Sequence, residues 1–366
     1  MVRTSNSCRN ATVRIAATIM IISMAVSGVV SAAPAEQPVS DETMSYTVFA
    51  VGDIGLDQLP RPNVNRYQYD KVAALILEND PDAFLMLGDG QHNNGELQDY
   101  LDFYDTAFHP LGPVTYPVTG NHDYYVYDDA EGYFDYFGDP ENCANSNLVL
   151  ENDFPDGTHL GYYSFDIGTW HIVALNSHLS HLDFLEGQID PMEGTPSYQQ
   201  WKWLEADLAS HSEGYTGTIA TMHHPLFDWE LYYRCEWISW FDLSTQIHLW
   251  NVFEEFDVDM VLSGHNHNYQ CWAPQTPDGV YDPDGIRQFV VGTGGAYLSG
   301  LPTSTTSLDC AGDYPNGIPL STLENLECAE DEYFGALKLT LDDTGCEYAF
   351  ISVDGEVIDE GSIICD

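Results

Sequence analysis

The segment Leu85–Asn94, LMLGDGQHNN, runs from an apolar stretch into an abrupt Gly-Asp-Gly and places a histidine three residues after the aspartate. The design recurs along the chain. Apolar segments that read as strands also end in GDIG (52–55), GNHD (120–123), MHHP (222–225) and GHNH (264–267). Five strands that each finish in a polar cluster must gather their C-terminal ends to make those clusters useful. The carboxyl edge of a largely parallel sheet does this, and it is where α/β proteins place their ligands.

The segments between the clusters support that architecture. Strands are expected at Tyr46–Val51, Ala83–Leu87, Pro113–Thr119, Thr218–Met222 and Met260–Leu262. Apolar residues at helical spacing predict helices over Arg66–Asn79 with Asn65 as a possible cap, Leu97–Phe108, Ser197–Ser210 with serine at its start, and Ile247–Glu255. Tyr162–Asp166 and His171–Asn176 read as a hairpin turning at Gly168-Thr169. From Gln288 onward most elements are strands, including a hairpin of Ala336–Leu341 and Glu347–Val353. The aromatic stretch Leu226–Ser244 interrupts the alternation and reads as a loop excursion near His223. With no interior linker, the chain from about Met44 to its C-terminus is assigned to one α/β domain, 44–366, with a mostly β C-terminal part.

Residues 1–35 are set apart. Arg3, Arg9 and Arg14 precede an apolar run from Ile15 to Val30 that ends at Ser31-Ala32-Ala33, the order of a secretory signal. An uncleaved anchor is the competing reading, and the small residues and the polar segment after them favour cleavage. A secreted or extracytoplasmic protein without stable membrane association is expected. The formal net charge of −48, from 10 basic and 58 acidic residues, opposes nucleic-acid binding, which needs basic counter-charges. It suits solubility in salt, where carboxylate repulsion is screened.

In an exported chain, cysteines 143, 235, 271, 310, 328, 346 and 365 read as disulfide material. Sequence proximity points to Cys310–Cys328 and Cys346–Cys365, although connectivity cannot be deduced from it.

The clusters offer Asp53, Asp89, His92, Asn121, His223, His265 and His267. These oxygen and imidazole donors, without thiolate, suit zinc, iron or manganese. Seven donors exceed one tetrahedral site but fit two metals that share a carboxylate, an arrangement able to hold phosphate and generate hydroxide. In His265-x-His267 at a strand end, alternate residues point the same way, so both imidazoles are expected to face one site. The glycines beside the ligands are read as permitting the sharp turns.

The ordered set GDIG, GDGQH, GNHD, HHP and GHNHNY resembles the calcineurin-like metallophosphoesterases, and within them the purple acid phosphatase branch. YYSFDIGTWHIVALNS and FVVGTGGAYL resemble core strands of that branch. The resemblance covers nearly all of the chain after the leader. It implies the metallophosphoesterase fold: two facing mixed β-sheets flanked by α-helices, a four-layer αββα arrangement. It also implies Asp53, Asp89 and His267 around a first metal and Asn121, His223 and His265 around a second, with Asp89 bridging. The implied reaction is attack of a metal-bound hydroxide on a phosphomonoester, with His122 as general acid. Asn121 and His122 become phosphate contacts, and His224 is a further candidate beside His223. The remaining histidines, His171, His178 and His248 among them, read as surface or packing residues.

One departure stands out. The branch carries Gly-Asp-x-x-Tyr, whose tyrosine ligates the first metal and gives ferric enzymes their colour. Here that position is His92. A neutral imidazole removes a negative charge and a hard donor, favouring divalent zinc, iron or manganese over locked ferric iron. A colourless phosphatase working toward neutral or alkaline pH is expected, with small phosphorylated substrates. A phosphodiesterase or nucleotide hydrolase on the same site is the alternative, the aromatic segment Leu226–Phe241 stacking a base. A non-catalytic metal-binding surface protein is the alternative of another class.

Overall fold

The computed structural model describes residues 44–55, 68–126, 129–150, 153–179, 183, 190–229, 243–301 and 320–365. The leader, Asn65 and most of the aromatic stretch after Trp229 lie outside these residues. The chain opens with β1 (Tyr46–Val51), α1 (Tyr69–Glu78) and β2 (Ala83–Met86). The next helical segment is irregular. Short α2 (Leu97–Asp99) and α3 (Asp105–Phe108) flank a π-helical stretch at Tyr100–Tyr104, and a 3₁₀ turn leads into β3 (Thr115–Pro117). Then follow α4 (Glu131–Phe137), the hairpin β4 (Tyr163–Ile167) and β5 (Trp170–Ala174), α5 (Pro196–Ser210) and β6 (Gly217–Thr221). Next come α6 (Ser244–Glu255), β7 (Met260–Ser263), β8 (Tyr269–Gln275) and β9 (Ile286–Val291). Strands β10 (Leu326–Glu330), β11 (Gly335–Leu341), β12 (Gly345–Ser352) and β13 (Val357–Ile364) complete the chain.

Six strands form one sheet in the order β13-β12-β11-β1-β2-β3, and seven form another in the order β10-β8-β9-β7-β6-β5-β4. Each has a parallel part, β1-β2-β3 in the first and β5-β6-β7-β9 in the second, extended by antiparallel strands. Period-two alternation assigns the two faces of the second sheet. Ile172 and Ala174 belong to the core shared with the first sheet. Val173 and Leu175 belong to a second core with Leu204, Leu208, Leu249 and Phe253 from the helices. Across the shared core, Tyr269 stacks on Phe350 at 4.2 Å and Tyr116 on Phe165 at 3.7 Å. The fold is the expected pair of facing mixed sheets with flanking helices.

The sheets meet at the carboxyl ends of their parallel strands. Gly52 N–H donates to Val291 O and Gly294 N–H to Gly52 O, both at 2.9 Å. A Cβ on Gly120 would overlap Asp89 Oδ1, and one on Gly88 would overlap the His223 ring. Gly120 serves close approach, while Gly88, at φ 84°, serves both close approach and the turn.

Helix α5 begins with Ser197 in its first turn, as expected; its cap is Thr195, whose hydroxyl accepts from Tyr198 N, and the Ser197 hydroxyl donates to Asp183. One local expectation needs correction. Cys346 is a thiol that donates to the Glu347 carbonyl at 3.4 Å, so the pairing with Cys365 is not made. Cys328 is disulfide-bonded, and Cys310, its expected partner, lies outside the described residues.

Candidate metal centre

Each ligand candidate sits just beyond a parallel strand. Asp53 follows β1, Asp89 follows β2, Asn121 follows β3, His223 follows β6 and His265 follows β7. The turns are tight enough that Asp53, Asp89 and His265 take left-handed backbone conformations, with φ of 60°, 49° and 71°. Non-glycine residues rarely adopt this region, and functional sites are where such strain accumulates. His265 and His267 therefore do not alternate on a strand as expected. The backbone turns at His265 and sends the two imidazoles to different parts of the site.

The two aspartates are fully buried and built alike. Asp53 Oδ2 accepts from the His265 backbone N–H at 2.8 Å, and Asp89 Oδ1 accepts from that of His122 at 2.9 Å. The other oxygen of each, Asp53 Oδ1 and Asp89 Oδ2, is buried without a hydrogen bond. Imidazole nitrogens face both. His267 Nε2 lies 3.3 Å from Asp53 Oδ1. Around Asp89 Oδ2 are His223 Nε2 at 3.3 Å, His92 Nε2 at 3.8 Å and His122 Nε2 at 3.9 Å.

Backbone carbonyls orient these rings. His267 Nδ1 bonds to Tyr297 O at 2.9 Å, and His223 Nδ1 to Leu87 O at 2.8 Å. A carbonyl only accepts, so each Nδ1 carries hydrogen and each Nε2 turns inward. His92 Nε2 stands 2.9 Å from His267 Nε2, while His223 Nε2 and His265 Nδ1 stand 3.1 and 2.9 Å from Asn121 Oδ1. His92 thus faces the centre.

Electrostatics follow from burial. Desolvation opposes ionisation of Asp89, but His223, His122 and His92 outweigh it and hold its carboxyl well below the usual range. Asp53 is lowered in the same way, chiefly by His267. Burial pushes His92 and His265 down to about 3, keeping them neutral. It also opposes charge on His223, yet the Asp89 carboxylate raises this ring to about 9. Donor atoms of Asp53, His92 and His267 converge within metal-binding reach, as do those of Asp53, Asp89 and His223, and of His223, His224 and His265. Two half-bonded buried carboxylates among inward-turned imidazoles fit a cation.

The structure also brings in residues that the sequence reading missed. Asp123 underlies the GNHD turn, accepting from Gly120 N at 2.7 Å and from Tyr100 OH at 2.6 Å, and burial raises it to about 7. A sixth strand end, Asn176-Ser177-His178 after β5, reaches the rim. Ser177 Oγ accepts from His224 N and pairs with His224 Nδ1, both at 2.9 Å. His178 stacks on Tyr124 at 4.4 Å. Leu175-Asn-Ser-His is itself an apolar strand running into polar residues, although the hairpin pattern there masks it. His171 is neither a surface nor a plain packing residue: it is buried between Asp166 and Asp207.

Residues 46–269 match the calcineurin-like phosphoesterase family. The chain belongs to that family. A purple acid phosphatase of Arabidopsis thaliana, "Purple acid phosphatase 15", is 24% identical over 276 residues, which are 68% of this chain and 44% of that protein. An "Acid phosphatase" of Aspergillus ficuum is 25% identical over 169 residues, covering 44% of this chain and 25% of that protein. The chain thus spans less than half the length of either relative. Among solved structures, the lupin (Lupinus luteus) purple acid phosphatase PPD1 superposes with a TM-score of 0.63 at 20% identity, over 88% of this chain and 54% of that one. GAP50, described as the anchor in the inner membrane complex of Plasmodium, superposes with a TM-score of 0.59 at 13% identity, over 88% and 89% of the two chains. At these identities the structural likeness concerns the fold.

Proposed function

We propose that the protein is a dinuclear metal-dependent phosphatase that hydrolyses phosphomonoesters outside the cytoplasm. The observation that carries this reading is the pair of buried carboxylate oxygens, Asp53 Oδ1 and Asp89 Oδ2, left without hydrogen bonds among inward-turned imidazoles. In this reading Asp53, Asp89, His92 and His267 hold one metal. Asp89, Asn121, His223 and His265 hold the other. Two zinc, iron or manganese ions in such a site would bind phosphate oxygens and supply a nucleophile from water at neutral pH.

The chain's own residues do the rest. His122 Nδ1 bonds to the Asn93 carbonyl at 3.0 Å, so Nδ1 keeps its hydrogen and Nε2 is the atom that exchanges a proton. Nε2 faces Asp89 Oδ2 from the rim, where a leaving oxygen can collect the proton. His224 is buried against Ser177 and lies 4.6 Å, ring to ring, from His265, which supports reading it as a phosphate contact on the second-metal side. The catalytic unit extends from Met44 to the C-terminus in this proposal, because β11 to β13 complete the sheet that carries Asp53 and Asp89.

Fold alone does not make an enzyme, and one structural neighbour is described as an anchor. The full donor set and the placement of His122 favour turnover here. The test is hydrolysis of p-nitrophenyl phosphate by the chelated protein, then with zinc, manganese or iron restored, beside bis-p-nitrophenyl phosphate. Metal-restored monoesterase activity is expected. Diester preference would make it a phosphodiesterase, and a metal-loaded protein without turnover would be a binding protein.

A further inference from the structure

Tyr125, the residue after the GNHD turn, has a placement that the ligand set does not explain. The residue is 58% exposed, although its ring centroid lies 4.2 Å from that of His122. The His92 ring lies 3.6 Å from the same imidazole. Two rings cannot share one face at such distances, so His92 and Tyr125 cover opposite faces of His122. The Tyr125 hydroxyl accepts a hydrogen bond from Asn121 Nδ2 at 3.1 Å, which anchors the phenol at the rim. Exposed aromatic carbon held in a fixed orientation is unusual, because such a ring would otherwise rotate freely in water.

The position has a chemical meaning. This inference rests on the phosphatase reading, in which His122 protonates the leaving oxygen. The group attached to that oxygen then passes beside His122, where Tyr125 offers the exposed aromatic surface. Charge narrows the class further. Among the described residues, Lys71, Lys202 and Arg287 are bound to Gln68, Glu205 and Glu327, and Lys338 lies within β11. With a net charge of −48, the chain is poorly suited to a leaving group bearing additional phosphates or carboxylates.

We propose that Tyr125 is a specificity-determining residue that stacks on the leaving group and selects phosphomonoesters whose leaving group is aromatic and uncharged, such as aryl phosphates and nucleoside monophosphates, over small aliphatic ones. The ring supplies the selection, and the hydroxyl holds the ring in place through Asn121.

The test uses non-hydrolysable probes, so that it does not depend on turnover. Phenylphosphonate and methylphosphonate are titrated calorimetrically into the zinc-loaded full chain, its Tyr125→Phe variant and its Tyr125→Ala variant. The wild type is expected to bind the phenyl probe roughly five-fold more tightly than the methyl probe, the scale of one aromatic stacking contact. Tyr125→Phe, which keeps the ring but loses its anchor to Asn121, retains part of that ratio, and Tyr125→Ala brings it close to one. The exposure of Tyr125 means that neither variant removes core packing. An unchanged ratio in Tyr125→Ala overturns the proposal. So does an equal loss for both probes, which would make the ring only a support for His122 and Asn121. Loss of the ratio in Tyr125→Phe, or no binding of either probe, overturns it as well. Turnover of p-nitrophenyl phosphate by the wild type is measured separately, and its absence beside an intact phosphonate ratio would count against the phosphatase reading alone.

Discussion

Asp53, Asp89 and His265 carry the strain of the site in their backbones and its chemistry in their side chains. A left-handed conformation costs most residues about 1–2 kcal/mol each, and asparagine, like aspartate, tolerates it better than most. Asp89→Asn therefore preserves the turn while removing the buried charge. We expect it to fold and to lose most of its metal, read by metal analysis after dialysis. His122→Ala should bind metal normally. It should lower kcat by about 10²–10⁴-fold on an alkyl phosphate, the range for a lost general acid, and far less on p-nitrophenyl phosphate, whose phenolate leaves without help. His92 offers a spectroscopic test. The iron-loaded wild type should lack a visible phenolate-to-iron band, and His92→Tyr should gain one. An intense band in the wild type would remove His92 from the ligand set. These residues were legible in the sequence because each follows an apolar strand and carries a donor side chain. Asp123, Tyr100 and the carbonyls of Asn93 and Tyr297 were not, because a supporting partner is defined by proximity in space and leaves no local motif.

At the scale of elements, the β4-β5 hairpin is clamped to α5 by one buried imidazole. His171 Nδ1 meets Asp166 and Nε2 meets Asp207, both at 2.8 Å. His211 stacks on His171 at 3.8 Å, Tyr215 OH donates to Asp166 at 3.0 Å, and Ser164 donates to Asp207 at 2.9 Å. Burial disfavours charge on His171, but the two carboxylates prevail and raise its pKa above the ordinary value. The folded protein therefore holds this proton more tightly than the unfolded chain. The clamp contributes its full stability below about pH 6.5, the unfolded value, and loses it as pH rises through the raised folded value. Asp207→Asn should destabilise the protein by roughly 1.5–3 kcal/mol at pH 6, the scale of a hydrogen bond to a charged group, and by less at pH 9. Urea midpoints at the two pH values measure this. The hairpin and helix were both legible from periodicity. Their clamp was not, since His171 lies 36 residues from Asp207 in sequence.

The whole molecule carries two kinds of negative charge that respond differently to salt. Most of the 58 acidic residues have few basic neighbours, and their mutual repulsion acts through solvent. The screening length falls from about 30 Å at 0.01 M salt to about 3 Å at 1 M, so added sodium chloride should raise the unfolding temperature steadily. Asp53 and Asp89 are sealed from solvent and should barely feel that change. Their repulsion is relieved by facing imidazoles and, in the proposed enzyme, by bound metal. A ligand that binds only the folded state at about a hundred times its Kd stabilises by about 2.7 kcal/mol. Chelation should therefore lower the unfolding temperature, and the drop should persist nearly unchanged at 1 M salt. Scanning calorimetry of chelated and zinc-loaded protein across a salt series separates the two terms. If the chelator-dependent drop vanished in high salt, the bound cations would sit on the acidic surface, and the centre built around Asp53 and Asp89 would not be holding metal.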